Sequence, residues 1–444
     1  MDPLRVAIVG SGPAGFYAAG ALLGGDTPAE VDMLERLPTP WGLVRLGVAP
    51  DHPKLKTASR AFERIAERPG FRFLGNVEVG RDITHEELMR LYDAVIYAVG
   101  AQTDRRLGIP GEDLPGSWPA TEFVAWYNGH PDYHDLRVEL DVERAVVIGV
   151  GNVALDVARM LALTPAELEC TDASDDAIAA ISASPVEEIV VVGRRGPVQA
   201  AFTNPELLEL GELAGADVVV DPADLEGAVA TGTNSERNLE VLREYAAREP
   251  SGKPKRLVLK FLRSPVALLG AQRVEGIDLV RNVLDENARA VATDEHEMLS
   301  CGLVFRSVGY RGVAVPGVPF DDKTGTMPNE AGRVAPGVYC AGWIKRGPTG
   351  VIGTNKKDAT ETVETLLADA AAGRLPRSEA SAADVDALLD ERGVRRVMYS
   401  GWQSIDELER AAGEKAGRPR VKLCTWDELL DAAERAASLP SEAR

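Results

Sequence analysis

Short apolar runs alternate with stretches of helical periodicity along most of this chain, and the alternation predicts strands followed by helices. The β-branched run over 4–9 is bounded by glycine and too short for a buried helix, so it reads as an inner strand; 16–23 then continues with helical spacing. Strands over 31–35 and 93–100 complete βαβ patterns in the first hundred residues. The same grammar returns with a strand at 144–149, a helix at 153–163 and a strand at 188–193, delayed by an acidic, alanine-rich insertion over 164–185. Further strands are expected at 257–262, 304–309 and 337–342, and the region from 107 to about 309 reads as βαβ-rich throughout. Strands that alternate with helices pair in parallel and are covered on both faces, so the fold class is α/β. The turn residues over 107–111 read as a linker between two such units.

The chemistry lies at the strand-to-helix turns. The first turn holds Gly10, Gly12, Pro13, Ala14 and Gly15, and the second Gly149, Gly151, Asn152, Val153 and Ala154. Missing side chains let the backbone approach a pyrophosphate there, and the helix start offers unpaired N–H groups to it. The residues that end the following strands differ in charge. Glu35 would hold a ribose hydroxyl and repel a 2′-phosphate, so the first site suits FAD or NAD. Arg194 and Arg195 would instead pair with a 2′-phosphate, which is the NADP choice. Near 352 a third helix opens after Gly350, Val351 and Ile352, and its positive end suits the negative charge of a reduced flavin.

Composition narrows the class. A chain of 444 residues, 45% hydrophobic and 27% charged, reads as a soluble protein of two or three domains with no apolar run long enough to cross a membrane. A buried strand begins at once, which argues against a leader segment and for the cytoplasm. The four cysteines (Cys170, Cys301, Cys340 and Cys424) form no C-x-x-C, which excludes a sequence-local redox dithiol and a locally ligated iron–sulfur cluster. A formal charge of −20 excludes bulk attraction to nucleic acid or anionic membrane. Past 376 the chain is helical and polar; 404–407 and 425–428 read as capping boxes, and the last few residues as mobile.

Long motifs then become specific. The stretch over 37–54, the segments 147–156 and 193–196, and the stretch over 342–353 together resemble the adrenodoxin reductase family of NADPH:ferredoxin reductases, most of all its bacterial, mycobacterial-type members. The resemblance implies a two-dinucleotide-binding-domain flavoprotein, with an NADP-binding Rossmann-like domain (107–312) inserted into an FAD-binding Rossmann-like domain (1–106 and 313–376) and a helical extension (377–444) packed on the latter. It implies FAD contacts at Ala14, Glu35, Leu43, Val79, Trp343 and the 350–352 backbone, and NADP contacts at 151–154, Arg194, Arg195, Glu206 and Gly350. His52 and Glu206 approach the nicotinamide in that family, and hydride transfer asks orientation of them rather than acid–base chemistry. Trp343 stands where many two-dinucleotide flavoproteins carry Asp, and can stack near the flavin edge. Leu208 stands where Arg is common and Val150 where a polar residue is expected; the latter, next to the pyrophosphate turn, bears on pyridine-nucleotide affinity.

The activity implied is passage of a hydride from NADPH to FAD, then of single electrons to a ferredoxin-type iron–sulfur protein, in either direction. An acidic protein meeting an acidic ferredoxin needs a local basic surface. The candidates are Lys54, Lys56, Arg60 and Arg64, or Arg237, Arg243 and Arg248 with 253–256 beyond; the Arg237 and Arg243 group is preferred by family likeness. A monomer fits a protein that must present one flavin edge. Two alternatives stand beside this reading. One is the electron-input subunit of an amidotransferase, although its N-terminal cysteine set is missing, the first cysteine being Cys170. The other is a non-catalytic NADP-sensing flavoprotein.

Overall fold

The computed structural model of the chain describes residues 3–230 and 232–435; the final residues 436–444, expected to be mobile, lie outside the described residues. One six-stranded sheet runs in the order Arg333–Ala335, Val338–Cys340, Ala94–Tyr97, Leu4–Val9, Ala29–Glu35, Phe71–Gly75, parallel except for its first pair. A second six-stranded sheet, parallel throughout, runs Ser117–Pro119, Leu303–Arg306, Arg144–Ile148, Glu188–Val192, Lys255–Lys260, Ala216–Val220. Residues of the first sheet therefore flank those of the second in the chain. The chain crosses between the sheets twice, and the two crossings pair as a short ladder, Tyr310–Arg311 against Thr103–Asp104.

Alternation within each strand feeds two layers, as a side-chain period of two requires. Val6 and Ile8 pack with Phe16 on one face of the first sheet, while Ala7 and Val9 join Leu34 and Leu74 on the other. In the second sheet Ala145 and Val147 face a helical layer, but Val146 and Ile148 face Leu268, Ile277 and Leu279. Those three belong to an antiparallel sheet, Arg263–Leu269, Gly276–Leu284 and Ala290–Ser300, which covers that face in place of helices. The expectation of βαβ units continuing to about 309 is corrected here. Residues 277–284 carry the apolar spacing of a strand, but nothing local says that their neighbours pair antiparallel.

The C-terminal helices are Ala382–Glu391, Tyr399–Ala416 and Trp426–Arg435. Thr425 caps its helix with Glu428 as expected, each reaching the other's backbone N–H at 3.1–3.2 Å. Ser404 does not begin a helix; it lies inside Tyr399–Ala416, because buried Trp402 and Ile405 pack on the first domain and carry the helix past it. Trp402 meets Trp41 edge-on at 6.1 Å, and Trp41 in turn lies against Phe16 at 4.6 Å and Phe62 at 5.7 Å.

Beyond this packing, residues 418–426 bridge the two sheet domains. Arg418 donates to the carbonyls of Thr171 and Ala173 and pairs with Asp175, and Trp426 donates its indole N–H to Asp132 at 2.9 Å. Lys422 and Lys56 share Asp172, at 3.4 and 2.5 Å. Alongside them Arg45 reaches Glu409 at 2.5 Å, and Arg420 joins Glu409 and Asp406 at 3.0 and 2.7 Å. Lys56, a candidate for a free docking surface, is thus committed to an interdomain contact. Four cations here face three carboxylates. The Lys422 pKa is accordingly depressed to about 7 by burial, with Lys56 and Arg45 adding to the effect, whereas the two lysines outweigh burial at Asp172 and hold it near 2.

The sign of the pH effect follows. Because the folded state disfavours the charged lysine, its full cost is present below about pH 7 and fades as the pH rises toward the ordinary lysine value. The melting temperature of Lys422→Met relative to wild type is expected to be highest near about pH 6 and to fall by several degrees by about pH 9. Thermal melts at constant ionic strength would show this, and a difference independent of pH would contradict it.

Candidate functional site

At the first turn, two kinds of glycine can be told apart. Gly10 has φ +101°, and a Cβ there would lie 2.6 Å from the carbonyl oxygen of Ala98; one on Gly15 would lie 2.1 Å from the carbonyl oxygen of Gly10. The fold itself requires these two. Gly12 has an extended backbone, φ −74°, and an added Cβ meets nothing within 4 Å. The second turn repeats the arrangement: a Cβ on Gly149 would meet the Ser307 carbonyl oxygen at 2.1 Å, whereas Gly151 is open. Internal packing explains the first kind only. The space over Gly12 and Gly151 fits a bound group that must come close to the backbone.

The helices after these turns, Pro13–Leu22 and Asn152–Ala162, begin with neither a side-chain cap nor an acidic residue in the first turn. By contrast, the helices at His85–Leu91 and Pro165–Leu168 begin with complete capping boxes. Uncapped N–H groups at a glycine turn suit a phosphate. The third helix, Ile352–Ala371, also starts without a first-turn acid, and a Cβ on Gly353 would meet nothing within 4 Å.

Glu35 ends its strand beside the first turn. It accepts the Ser11 backbone N–H at 3.0 Å, the Ser11 hydroxyl at 2.6 Å and the Leu37 N–H at 3.0 Å. A carboxylate has about four lone-pair positions, so capacity remains for a ribose hydroxyl. The segment around Leu43 closes over the same turn: Trp41 donates its N–H to the Ser11 carbonyl at 3.1 Å, and Gly42 (φ +51°) would bring a Cβ to 3.0 Å from the Gly12 Cα. Val79 is half-buried against the layer that contains Val9 and Leu34. A Cβ on Gly342 would strike the Ala14 Cβ at 2.6 Å, so the returning strand docks directly on the first helix. Trp343 is half-buried, not a core residue, with its ring 5.3 Å from that of Tyr310 on the crossing ladder. Leu43 is 40% exposed and Val351 61%, an apolar surface that a flat ring would cover.

Arg194 and Arg195 are exposed at the end of Glu188–Val192, and neither guanidinium pairs with a carboxylate among the described residues. In a chain of net charge −20, two adjacent arginines without carboxylate partners concentrate positive charge at this strand end. Asn152 holds the turn by accepting the Thr203 N–H at 2.8 Å, while the Val150 carbonyl accepts those of Ala201 and Phe202. Val150 thus contributes through its backbone, and its side chain lies against Gly193.

His52 and Glu206 come from different domains and meet at the seam. His52, 9% exposed, lies 2.6 Å from Glu209 and 3.8 Å from Glu206. Glu206 is not a surface charge. Burial and the neighbouring Asp156 raise its pKa, and burial raises that of Asp156. Arg159, missed in the sequence, organises this cluster. It reaches Asp51 at 2.5 Å, Asp156 at 2.7 Å, Glu206 at 3.4 Å and Glu209 at 3.7 Å. The ligating atoms of His52, Glu206 and Glu209 lie within 4.8 Å of one another, but the cation they face is already this guanidinium. No local signal marks Arg159 or Glu209; both sit on helices where a solvated charge is the ordinary expectation.

Two dinucleotide turns on two parallel sheets, one sheet inserted in the sequence of the other, define a pyridine-nucleotide flavoprotein oxidoreductase. In agreement, residues 4–190 match the pyridine nucleotide-disulphide oxidoreductase family, although no cysteine of the described chain is disulfide-bonded. NADPH-ferredoxin reductase FprA of Mycobacterium tuberculosis is 54% identical to this chain, covering 97% of it and 99% of the relative. The mitochondrial NADPH:adrenodoxin oxidoreductase of Arabidopsis thaliana is 43% identical, covering 97% and 95%. A solved structure of the M. tuberculosis FprA in complex with NADPH superimposes with TM-score 0.93 at 52% identity, over 97% of this chain and 99% of that one. The chain belongs to the NADPH-ferredoxin reductases of the adrenodoxin reductase family.

The two kinds of glycine predict different failures. Gly12→Ala is expected to leave apoprotein stability within about 0.5 kcal/mol while lowering the flavin content of purified protein. Gly15→Ala should destabilise the apoprotein itself by about 1–3 kcal/mol through overpacking. Urea unfolding of flavin-free protein, with the flavin-to-protein absorbance ratio, separates them; equal loss of stability in both variants would refute the distinction.

Proposed function

We infer that this chain is an FAD-dependent NADPH:ferredoxin oxidoreductase. The observation that carries the reading is the charge contrast between the two turns: Glu35 after the first, unpaired Arg194 and Arg195 after the second. In this reading Gly10, Gly12, Pro13, Ala14 and Gly15 hold the FAD pyrophosphate and Glu35 its ribose, with Leu43, Val79, Trp343 and Gly350–Ile352 against the rest of the molecule. Gly151, Asn152, Val153 and Ala154 hold the NADP pyrophosphate, and the two arginines its 2′-phosphate. When bound, FAD supplies the conversion between a two-electron hydride donor and a one-electron carrier.

The chain's own contribution at the seam is positioning. His52 and Glu206, held by Arg159, fix the nicotinamide rather than move protons, and the Trp343–Tyr310 ring pair bounds the cleft on the crossing strands. The acceptor is a ferredoxin-type iron–sulfur protein. The basic surface proposed for it is the exposed side of helix Thr233–Ala247, where Arg237 and Arg243 form no ion pair among the described residues. Lys54, Arg60 and Arg64 are the lesser candidate now that Lys56 is committed to Asp172. Among the described residues no helix is long and apolar enough to cross a membrane.

Anaerobic NADPH is expected to bleach the flavin spectrum, and ferredoxin then to relay electrons to cytochrome c; flavin that stays oxidised would refute the reading. Arg194→Ala with Arg195→Ala should raise the KM for NADPH about 10–100-fold relative to that for NADH, as expected for losing charge-assisted hydrogen bonds of about 1.5–3 kcal/mol. An unchanged ratio would remove the 2′-phosphate from this site. For the partner surface, Arg237→Glu with Arg243→Glu is expected to slow ferredoxin reduction at low salt by at least about tenfold, with flavin reduction by NADPH unaltered. Unchanged ferredoxin turnover would discard that helix as the docking face.

A further inference from the structure

The backbone that presents Arg194 and Arg195 is held by the neighbouring strand of its own sheet and by the antiparallel sheet beyond it. Gly193 donates its N–H to the Lys260 carbonyl at 2.8 Å, its own carbonyl accepts the Arg263 N–H at 3.0 Å, and the Arg195 carbonyl accepts the Leu262 N–H at 3.1 Å. The carbonyl between them, that of Arg194, has no backbone partner among the described residues. It accepts the side-chain amide of Asn282, Nδ2 to O, at 2.7 Å. Asn282 is 2% exposed and lies on the middle strand of the antiparallel sheet, at the register shift against Ala290–Ser300. Its amide also donates to the Ser264 hydroxyl at 2.8 Å, and its backbone N–H donates to the Leu262 carbonyl at 2.8 Å, where Leu262 is in the left-handed region at φ +56°. Both amide hydrogens and the main-chain N–H of this one residue are therefore spent on the 2′-phosphate loop and its neighbours.

We propose that Asn282 is a positioning residue for NADPH over NADH, which fixes the Arg194 carbonyl and so the direction in which the adjacent guanidinium groups are presented. Neither guanidinium touches a carboxylate that would orient it, and only that of Arg195 has a protein partner, the Gln199 carbonyl at 3.4 Å, so the aim of Arg194 derives from the peptide unit that carries it, whose carbonyl rests on a single buried side chain. The strain-bearing Leu262, fastened to both Arg195 and Asn282, makes the loop and the antiparallel sheet one unit. The sheet that takes the place of a helical layer on this face thereby has a function: it supplies the donor that a helix layer would not. This inference rests on the assignment of the 2′-phosphate to Arg194 and Arg195.

The test is direct binding to the flavin-loaded protein of adenosine 2′,5′-bisphosphate and of 5′-AMP, which differ only in the 2′-phosphate, by titration calorimetry. Asn282→Ala is expected to weaken the bisphosphate about tenfold, the equivalent of about 1.4 kcal/mol, with 5′-AMP affinity and the flavin absorption spectrum as in wild type. Equal weakening of both ligands would show a merely structural role and overturn the proposal. So would wild-type discrimination in Asn282→Ala alongside selective loss in Arg194→Ala with Arg195→Ala. If that double variant also keeps wild-type discrimination, the phosphate assignment itself falls, and the proposal with it. Where Asn282→Ala does not fold, Ser264→Ala removes only the second acceptor of the amide and decides the matter: a selective loss of about threefold is expected, and none would overturn the proposal.

Discussion

The buried guanidinium of Arg159 ties the two halves of this protein together at the site. The halves are joined covalently by two crossings that form only a two-residue ladder, Thr103–Asp104 with Tyr310–Arg311, which would permit rotation. Arg159 reaches across from the second domain to Asp51 on the first, and gathers Asp156, Glu206 and Glu209 from its own. One cation facing four carboxylates is not chosen for stability, since burying such charges costs desolvation that attraction barely offsets. Its value is in orientation. With its partners in place the seam brings His52 and Glu206 within 4 Å.

Local features of the site were legible because their causes are local. A glycine turn between a strand and a helix, and the charge at the end of the next strand, lie within about one βαβ unit, so period and spacing reveal Gly10–Gly15, Glu35, Gly151 and the two arginines. Residues defined by contacts across hundreds of positions were not. Lys56 looks like any helix cation until Asp172 and Lys422 arrive beside it, and Ser404 looks like a helix start until Trp402 and Ile405 find Trp41. Arg159, Glu209 and Asn282 carry no local mark at all. The antiparallel layer was hidden for a related reason: strand character is written in the residues, but the direction of pairing is decided by the partner.

Glycine makes the same division within the site. At Gly10, Gly15 and Gly149 the neighbouring backbone forbids a side chain, so these positions follow from the fold and would be glycine whatever was bound. At Gly12, Gly151 and Gly353 the fold makes no demand, and the residue choice refers to something outside the chain. All three lie at the start of helices free of first-turn acids, and at Gly12 and Gly151 the helix also lacks a side-chain cap, so the polypeptide's own packing does not explain the choice of glycine there.

The orientation set by Arg159 is reinforced on the far side of the domain pair, and the two devices differ in charge. The seam around Arg159 has an excess of carboxylates, whereas residues 418–426 close the other contact with four cations against three acids, among them the neutral-poised Lys422. Burial relieves the excess at both: it lowers the pKa of Lys422 at one contact and raises those of Glu206 and Asp156 at the other. Both contacts span the two domains, one through Asp51 and Arg159 and the other through Lys56, Lys422 and Asp172. The helical extension thus bears on the domain arrangement: it packs on the core of the first domain through Trp402 and Ile405 and reaches Thr171, Ala173 and Asp132 of the second through Arg418 and Trp426.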